Sequence, residues 1–281
     1  MKLLAVLLVP LLLSVCLGKV GDFIRDCPGF FLKLNGVISP PTRFVGNQYK
    51  QICQTLNDKV EFASFYDTNN RIPVYSAYKF IGKVNCTRRS GKWFIEPQLD
   101  DQTQGVNMKS ESGGTYGDHQ ALNKDYEKQT PRGEYHKGHL VPVYHSSTQS
   151  CANATFTLTN AAPQEASFNI RWFHHAESKM EEKMSTDCIN KGWNAYVVTG
   201  VVPGNTKLKN RVLIPSHYWT ACCCLDNNDV PKLSLGYYAE NINKSVINEV
   251  TLQALENELN IKYGQNFAVF PGGCKMNIRK F

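Results

Sequence analysis

The sequence has 281 residues, of which 42% are hydrophobic and 20% are charged, and its formal net charge is +7. This balance can bury a sizeable core, so it excludes a disordered chain, a collagen-like chain and a small disulfide-scaffold protein. No change of composition marks a boundary within residues 19–281, and we expect a single domain there.

The first eighteen residues have the pattern of a secretory signal peptide. Lys2 precedes an apolar run from Leu3 to Leu13, and Gly18 comes just before a polar stretch. The run is shorter than the ~20 residues that span a bilayer, and no later segment supplies such a run. We therefore expect cleavage near Gly18, a secreted, extracellular protein and no stable association with a membrane.

Without residues 1–18 the chain has 30 basic side chains, 24 acidic side chains and nine cysteines. A secreted protein forms disulfides by default, and an odd number leaves at least one thiol free or paired with another chain. Cys222, Cys223 and Cys224 could suggest a metal cluster, but adjacent cysteines rarely bind one ion together. The connectivity of the disulfides stays open. Three sequons predict a glycoprotein, and they begin at Asn85, Asn153 and Asn243.

Short apolar stretches in the first hundred residues predict an antiparallel sheet. Residues 71–81 and 93–95 have the composition of strands between turn signals. Residues 100–134 are polar and contain Gly113 and Gly114, which predicts a long loop of the kind that often carries function. Residues 155–159 alternate between threonine and apolar side chains, which predicts a half-buried strand.

The second half of the chain predicts helices around buried strands. Residues from Gln164 to about Met184 lack Gly and Pro and favour a helix. Residues 194–202 and 211–215 are β-rich runs that predict buried strands. A last helix fits Thr251 to about Tyr263, with Thr251 as its cap and three leucines on one face. The predicted fold class is α+β, with a mixed or antiparallel sheet as its core.

Histidine, asparagine and glutamate side chains occur in an order that permits one site. On the predicted helix, Asn169, Phe173 and Glu177 stand at i, i+4 and i+8 and share one face. Asn169 could give its side-chain carbonyl to a hard cation, and Glu177 could hold a water of that cation's shell. Mg²⁺ suits this set because it prefers oxygen ligands and keeps several waters.

His139 lies in a polar run, residues 136–142, that enters a predicted strand. An imidazole is largely neutral at physiological pH and can take a proton from an attacking water. A cation bound on the other side of a phosphodiester would stabilise the negative charge on the leaving oxygen. The histidine and the cation together would therefore hydrolyse that bond. A zinc site at His136 and His139 is a weaker alternative, because side chains three positions apart on a strand face opposite sides.

These segments resemble the signature of the DNA/RNA non-specific endonucleases, the ββα-metal or His-Me finger nucleases. In that family a strand carries Asp-Arg-Gly-His, a second strand leads into Asn-x-x-Pro-Gln, and a helix carries Asn and, eight residues later, Glu. The counterparts here are His136-Lys137-Gly138-His139, Asn160-Ala161-Ala162-Pro163-Gln164, and Asn169 with Glu177. The resemblance covers roughly residues 60–275. The signal sequence and the cysteines make the chain most similar to the secreted subgroup of endonuclease domain-containing 1 proteins.

The resemblance implies a role for each residue of a ββα-metal motif. His139 would be the general base, and Asn169 would bind Mg²⁺ directly, with Mn²⁺ or Ca²⁺ as alternative ions. Glu177 would act on the cation through a water. Asn160 and Gln164 would organise the site.

The chain departs from the family pattern first at His136 and Lys137, and second at Trp172 and Phe173, where the family has one aromatic residue four positions after the Asn. Lys137 stands where the family has an arginine, so a bidentate fork becomes a point charge. Arg88 or Arg89 could supply a second cation. His136 replaces the Asp of the motif and either orients a neighbour or has no role. The base and the metal ligand remain in place.

The expected function is therefore a metal-dependent endonuclease acting on DNA and RNA with little sequence preference. A net charge of +6 after removal of residues 1–18 helps to attract a polyanion, and no base-reading motif is evident. The alternative is a catalytically weak or inactive secreted protein that keeps the nuclease fold and binds nucleic acid or another partner. Nothing in the sequence indicates an oligomeric state.

Overall fold

The computed structural model describes residues 20–127 and 135–275, so the predicted signal peptide lies outside the described residues. The described strands, numbered in chain order, are β1 (Leu32–Leu34), β2 (Val37–Ser39), β3 (Tyr49–Leu56), β4 (Lys59–Asp67), β5 (Ile72–Phe80), β6 (Tyr135–His139), β7 (Ala161–Glu165), β8 (Asn194–Val202), β9 (Thr206–Leu208), β10 (Val212–Ile214), β11 (His217–Leu225), β12 (Pro231–Glu240) and β13 (Asn248–Val250). The described α-helices are α1 (Phe23–Asp26), α2 (Pro97–Asp100), α3 (Gln149–Ala154), α4 (Ala166–Trp172), α5 (Ser178–Asp187) and α6 (Leu252–Tyr263). A π-helical turn joins α4 to α5, and short 3₁₀ turns lie at Pro28–Phe30, Asn123–Tyr126, Val143–His145, Leu158–Asn160 and Ile189–Lys191.

A seven-stranded antiparallel sheet forms the centre, in the order β3-β4-β5-β8-β11-β12-β13. The central strands β5, β8 and β11 are hydrogen-bonded on both sides and almost entirely buried. Their β-branched and aromatic side chains suit a pleated surface that is covered on both faces. The predicted α+β class with an antiparallel core is confirmed, and the strands predicted at 71–81 and 194–202 are β5 and β8.

The two faces of this sheet carry separate cores, because successive side chains of a strand point in opposite directions. On β8, Val197 belongs to the core under α4 and α5, whereas Val198 belongs to the core under α6. Leu252, Leu255 and Leu259 of α6 are at most 2% exposed. Burying a leucine of this kind stabilises the fold by about 1.5–3 kcal/mol, so α6 is held mainly by its apolar face.

The C-terminal helix begins and ends where its sequence predicts. The hydroxyl of Thr251 accepts a hydrogen bond from the backbone N–H of Ala254 at 3.2 Å, and Gly264 follows the helix with a φ of 67°. That left-handed conformation suits glycine, so the last turn stops there. Among the residues that the structure describes, no helix is long and apolar enough to cross a membrane.

The cysteine run on β11 follows the alternation of the strand. Cys222 and Cys224 face the core under α4 and α5, and Cys223 faces the core under α6. Three disulfides form in the described chain, namely Cys27–Cys53, Cys188–Cys224 and Cys223–Cys274. Over residues 20–127 and 135–275, no group of three or more His, Cys, Asp or Glu side chains could hold a metal ion. The thiols of Cys86, Cys151 and Cys222 are unpaired.

Two strands and a helix form a ββα unit on one face of the sheet. β6 pairs with β7 in antiparallel register, and α4 follows β7 directly. Glu165 caps the helix, because its carboxylate accepts hydrogen bonds from the backbone N–H groups of Ser167 at 3.2 Å and Phe168 at 2.7 Å. The helix therefore begins at Ala166, whereas the sequence predicted a start at Gln164, which lies within β7.

The strand predicted at 155–159 is wrong. The helix α3 ends at Ala154, a 3₁₀ turn follows, and the second strand of the ββα unit is β7. The alternation misleads because both kinds of side chain are buried. Thr157 and Thr159 form a buried polar cluster in which the Thr159 hydroxyl accepts from the side-chain N–H of Gln54 at 2.8 Å.

Two other predicted strands are reduced in the structure. Residues 93–95 form only isolated bridges to neighbouring segments and no strand. Residues 211–215 include β10, but it pairs with β9 in a small separate sheet rather than in the central one. Residues 100–127 contain one 3₁₀ turn and no strand, as expected of a long loop, and 128–134 lie outside the described residues.

Candidate functional site

A cavity of about 1180 Å³ opens beside the ββα unit. Four of the predicted site residues line it: Lys137 and His139 from β6, Asn169 from α4, and Glu177 from the π turn. Residues 83–88, which we call the wall segment, contribute five residues to the lining: Lys83, Val84, Asn85, Cys86 and Arg88. The antiparallel pairing of β6 with β7 and the immediate start of α4 bring these elements together. The imidazole of His139 and the amide of Asn169 therefore share one cavity.

His139 ends β6 and packs between two aromatic rings. Its ring centroid lies 4.4 Å from that of Trp93 and 4.9 Å from that of Phe156. The Nε2 atom is buried and has no hydrogen-bond partner. Burial, and secondarily the charge of Arg88, lowers the pKa of His139 to about 3. The imidazole is therefore neutral at physiological pH, with a nitrogen available for a proton.

Asn169 is oriented by His136. Its Nδ2 donates a hydrogen bond to His136 Nδ1 at 3.1 Å, across the contact between α4 and β6. In the described part of the chain the Oδ1 of Asn169 has no hydrogen bond. A side-chain carbonyl that is fixed in this way and unoccupied by protein donors is a ligand type that hard cations prefer. The donor set therefore fits Mg²⁺, with few protein oxygens and room for waters.

The π turn at Phe173–Glu177 decides where the glutamate points. Two turns of an α-helix take about 7.2 residues, so the side chain at i+8 lies about 0.8 of a residue beyond the side chain at i. This excess separates the two side chains by about 80° around the helix axis. A π turn takes one more residue per hydrogen-bonded ring, and this reduces the angular offset between Asn169 and Glu177.

Burial raises the pKa of Glu177 to about 8, and the charge of Arg88 opposes this shift.

The carbonyl of Glu177 is held by a histidine that sequence reasoning missed. His145 Nε2 donates to the backbone oxygen of Glu177 at 2.9 Å, and Tyr78 donates its hydroxyl hydrogen to His145 Nδ1 at 2.6 Å. Burial lowers the pKa of His145 to about 4, which keeps the neutral form that this pair of bonds requires. Tyr78 lies far from the motif in sequence. His145 follows His139 by only six residues, but its partner Glu177 comes 32 residues later, so no local pattern marks this bond.

Lys137 is fixed in the cavity wall. Its Nζ donates to Asn123 Oδ1 at 2.9 Å and lies 5.6 Å and 5.8 Å from the ring centroids of Trp93 and Tyr126. Burial lowers the pKa of Lys137. The ammonium is thus positioned by one amide and two rings, where the family pattern has a guanidinium.

Asn160 and Gln164 do not line the cavity. The side chain of Asn160 accepts from the N–H of Val141 at 2.9 Å and donates to its carbonyl at 3.1 Å, which fixes the chain just after β6. Gln164 lies beside Gly138, where a Cβ would come within 2.6 Å of Gln164 Cβ and 2.7 Å of the Tyr218 hydroxyl. Gly138 therefore permits the close pairing of β6 with β7.

The structure distinguishes the two arginines. Arg88 lines the cavity, 5.5 Å from the ring centroid of Phe156. Arg89 turns away, with its guanidinium 3.9 Å from the ring centroid of Phe94 and an N–H donated to the carbonyl of Lys92. Lys83, Arg88 and Lys137 are the basic groups of the lining, and Glu177 is its carboxyl group. This excess of positive charge suits a phosphodiester.

Comparison with known proteins agrees with the fold. A chain in the crystal structure of the EndoG/EndoGI complex, which concerns the mechanism of EndoG inhibition, superposes with a TM-score of 0.52 at 20% identity. The match covers 72% of this chain and 82% of that one, and it shows the shared fold.

Two curated relatives are similar in sequence. The Endonuclease domain-containing 1 protein of Homo sapiens is 32% identical over 239 residues, and that of Mus musculus is 30% identical over 237 residues. Each match covers 82% of this chain, which spans 45% and 44% of the length of the two relatives. The family model for DNA/RNA non-specific endonucleases matches residues 41–270. The chain belongs to the DNA/RNA non-specific endonuclease family.

Proposed function

We propose that this chain is a secreted, Mg²⁺-dependent endonuclease that hydrolyses phosphodiester bonds of DNA and RNA with little sequence preference. The observation that carries the proposal is the convergence of His139, Asn169 and Glu177 on one cavity with basic walls. Secretion is supported by the pattern of residues 1–18 and by three disulfides, which persist in oxidising compartments.

In this mechanism His139 is the general base. Its neutral Nε2 takes a proton from the attacking water, and the rings of Trp93 and Phe156 hold the imidazole in place. The same rings keep bulk water from that nitrogen. A bound phosphate would favour the protonated imidazole through its negative charge, which offsets the low pKa of the free protein.

The remaining residues bind the substrate and the cation. Asn169 Oδ1 would hold Mg²⁺ directly, and Glu177 would hold it through a water. When bound, the cation would stabilise the negative charge that gathers on the leaving oxygen. Lys137 and Arg88 would bind phosphate oxygens, and His136 keeps the Asn169 amide in the orientation that offers its oxygen. Contacts of this kind read the backbone and not the bases.

A second candidate is a secreted nucleic-acid-binding protein with weak or absent catalysis. It is favoured by Lys137, whose point charge is already bonded to Asn123 and replaces the bidentate fork of the family. In that case the cavity would bind the backbone of a nucleic acid without turnover.

A metal-controlled nuclease assay tests both candidates. Wild-type protein should nick plasmid and degrade RNA with Mg²⁺, and EDTA should abolish both activities. His139→Ala and Asn169→Ala should each lose about 10²–10⁴-fold in rate, because each removes one half of the proposed chemistry.

The exposed His119→Ala and Asn257→Ala serve as matched controls that keep activity. Equal rates for wild type and His139→Ala would reject His139 as the base. Tight binding of DNA without turnover across Mg²⁺, Mn²⁺ and Ca²⁺ would establish the second candidate instead.

A further inference from the structure

The wall segment is fastened to α3 and the residues before it by three hydrogen bonds. The N–H of Val84 donates to the carbonyl of Ser146 at 3.0 Å. The side chain of Gln149 accepts from the N–H of Thr87 at 2.9 Å and donates to the Thr87 carbonyl at 2.8 Å. The two segments therefore run side by side over this short distance.

An unpaired cysteine lies on each side of this contact. Cys86 stands between the bonded residues Val84 and Thr87, and its side chain packs against the core under α4 and α5. Cys151 lies in α3, two residues after Gln149. Burial is the main cause that raises the pKa of the Cys151 thiol to about 11, and the nearby Cys86 thiol makes a smaller contribution to this rise.

The cysteine inventory leaves these two as the natural pair. Residues 20–127 and 135–275 contain nine cysteines, of which six form the three disulfides. The third unpaired thiol, Cys222, is 0% exposed inside β11. A disulfide needs Cα atoms within about 7 Å of each other, and the hydrogen bonds on either side of Cys86 keep the two segments close.

We propose that Cys86 and Cys151 form a fourth disulfide, which ties the wall segment of the cavity to α3. In the balanced reaction the two thiols lose two protons and two electrons to glutathione disulfide, which is cleaved to two molecules of glutathione. The pairing leaves Cys222 as the single buried thiol of the described chain.

The disulfide would also act on the cavity. Arg88 follows Cys86 by two residues and lines the cavity. A covalent tie at Cys86 would restrict the range of positions of that guanidinium. This consequence rests on the proposed nuclease function, whereas the disulfide itself does not.

Thiol labelling tests the disulfide independently of any activity. The full chain is oxidised in a glutathione disulfide buffer, unfolded in guanidinium chloride and treated with N-ethylmaleimide without reductant, and the labels are located by peptide mass spectrometry. We expect a label on Cys222 and none on Cys86 or Cys151, together with a linked peptide pair that contains both. Labels on both Cys86 and Cys151 of the wild type would overturn the proposal.

Two variants distinguish a disulfide from two free thiols by the number of labelled cysteines. Cys86→Ser should make Cys151 reactive, and Cys151→Ser should make Cys86 reactive, so each variant gains one labelled thiol relative to wild type. If no disulfide forms, each variant loses one label instead. A fourth disulfide without nuclease activity would keep this inference and reject the proposed function.

Discussion

Glu177 is a carboxyl group held where its ionised form is poorly solvated. Burial raises its pKa to about 8 from an ordinary value of 4.5. Between these two pH values the unfolded chain has released a proton that the folded protein still holds. The free energy of unfolding therefore falls as the pH rises through this window. Above pH 8 both states have released the proton, and the fall is complete. At the proposed site, a bound cation would favour the ionised carboxylate and so lower this free-energy cost.

Glu177→Gln should therefore stabilise the protein while it lowers nuclease activity. The amide is neutral at every pH, so the gain should reach about 2 kcal/mol at pH 8.5, after allowance for the partial exposure of the side chain, and should vanish near pH 4.5. Urea unfolding at the two pH values measures it. A gain of equal size at both would mean that ionisation is not the cause.

At the scale of elements, the pairing of β6 with β7 sets the position of His139. Gly138 lies in β6 one residue before His139, opposite Ala162, and its missing side chain leaves room for Gln164 and the Tyr218 hydroxyl. That hydroxyl donates to the carbonyl of Ala162 at 2.8 Å, so it is fixed and cannot retreat without losing a bond. The register of the ββα unit thus depends on a glycine next to the proposed base.

Gly138→Ala should separate β6 from β7 and displace His139. We expect a loss of about 1–3 kcal/mol in the free energy of unfolding, the usual cost of overpacking, together with a large fall in nuclease rate. Gly29→Ala is the matched control, because a Cβ there meets nothing within 4 Å. A Gly138→Ala variant as stable and as active as Gly29→Ala would show that the close approach does not matter.

The sequence predicted elements well where one local rule decides the outcome. β5 and β8 follow from β-rich runs, and α6 follows from its leucine spacing and its threonine cap. It failed at residues 155–159, where alternating threonines belong to a buried polar cluster that only tertiary packing creates. Alternation of threonine with apolar residues predicts a half-buried strand only when the threonines face solvent, and here they are buried.

One signal for the π turn was present in the sequence. Five buried side chains of the helical segment, Phe168, Trp172, Ala176, Met180 and Met184, are each four residues apart. An α-helix has 3.6 residues per turn, so such a series drifts around the helix unless a wider turn takes up the difference. The bonds of His145 to Glu177 and of Lys137 to Asn123 had no such signal, because they join segments that only the fold brings together.

At the scale of the whole molecule, charge favours a polyanion. The net charge is +6 without residues 1–18, and Lys83, Arg88 and Lys137 place part of it in the cavity lining. A protein that neutralises phosphates releases counterions, so its affinity falls steeply with salt. The number of phosphates that the protein neutralises can therefore be obtained from the slope of log affinity against log salt.

Binding of a DNA duplex to the His139→Ala variant should weaken linearly on a plot of log affinity against log salt. Adding Lys137→Gln or Arg88→Gln should reduce the slope by about one unit each, because each would remove one of the proposed phosphate contacts. Fluorescence anisotropy at salt concentrations from about 50 to about 300 mM measures the affinity, because the salt dependence is large over this range. The exposed Lys33→Gln on β1 should leave the slope unchanged. An unchanged slope for Arg88→Gln would remove Arg88 from the phosphate-binding surface.

The alternating cysteines of β11 have a consequence for a chain exposed to proteases. A cut anywhere between Cys188 and Cys224 leaves two fragments joined by one crosslink, and a cut between Cys223 and Cys274 leaves them joined by the other. The two spans overlap on β11, so a single nick anywhere between Cys188 and Cys274 leaves the two fragments covalently joined. A protein cut in this third of the chain would therefore migrate as one species until a reductant is added, when it would separate into two fragments.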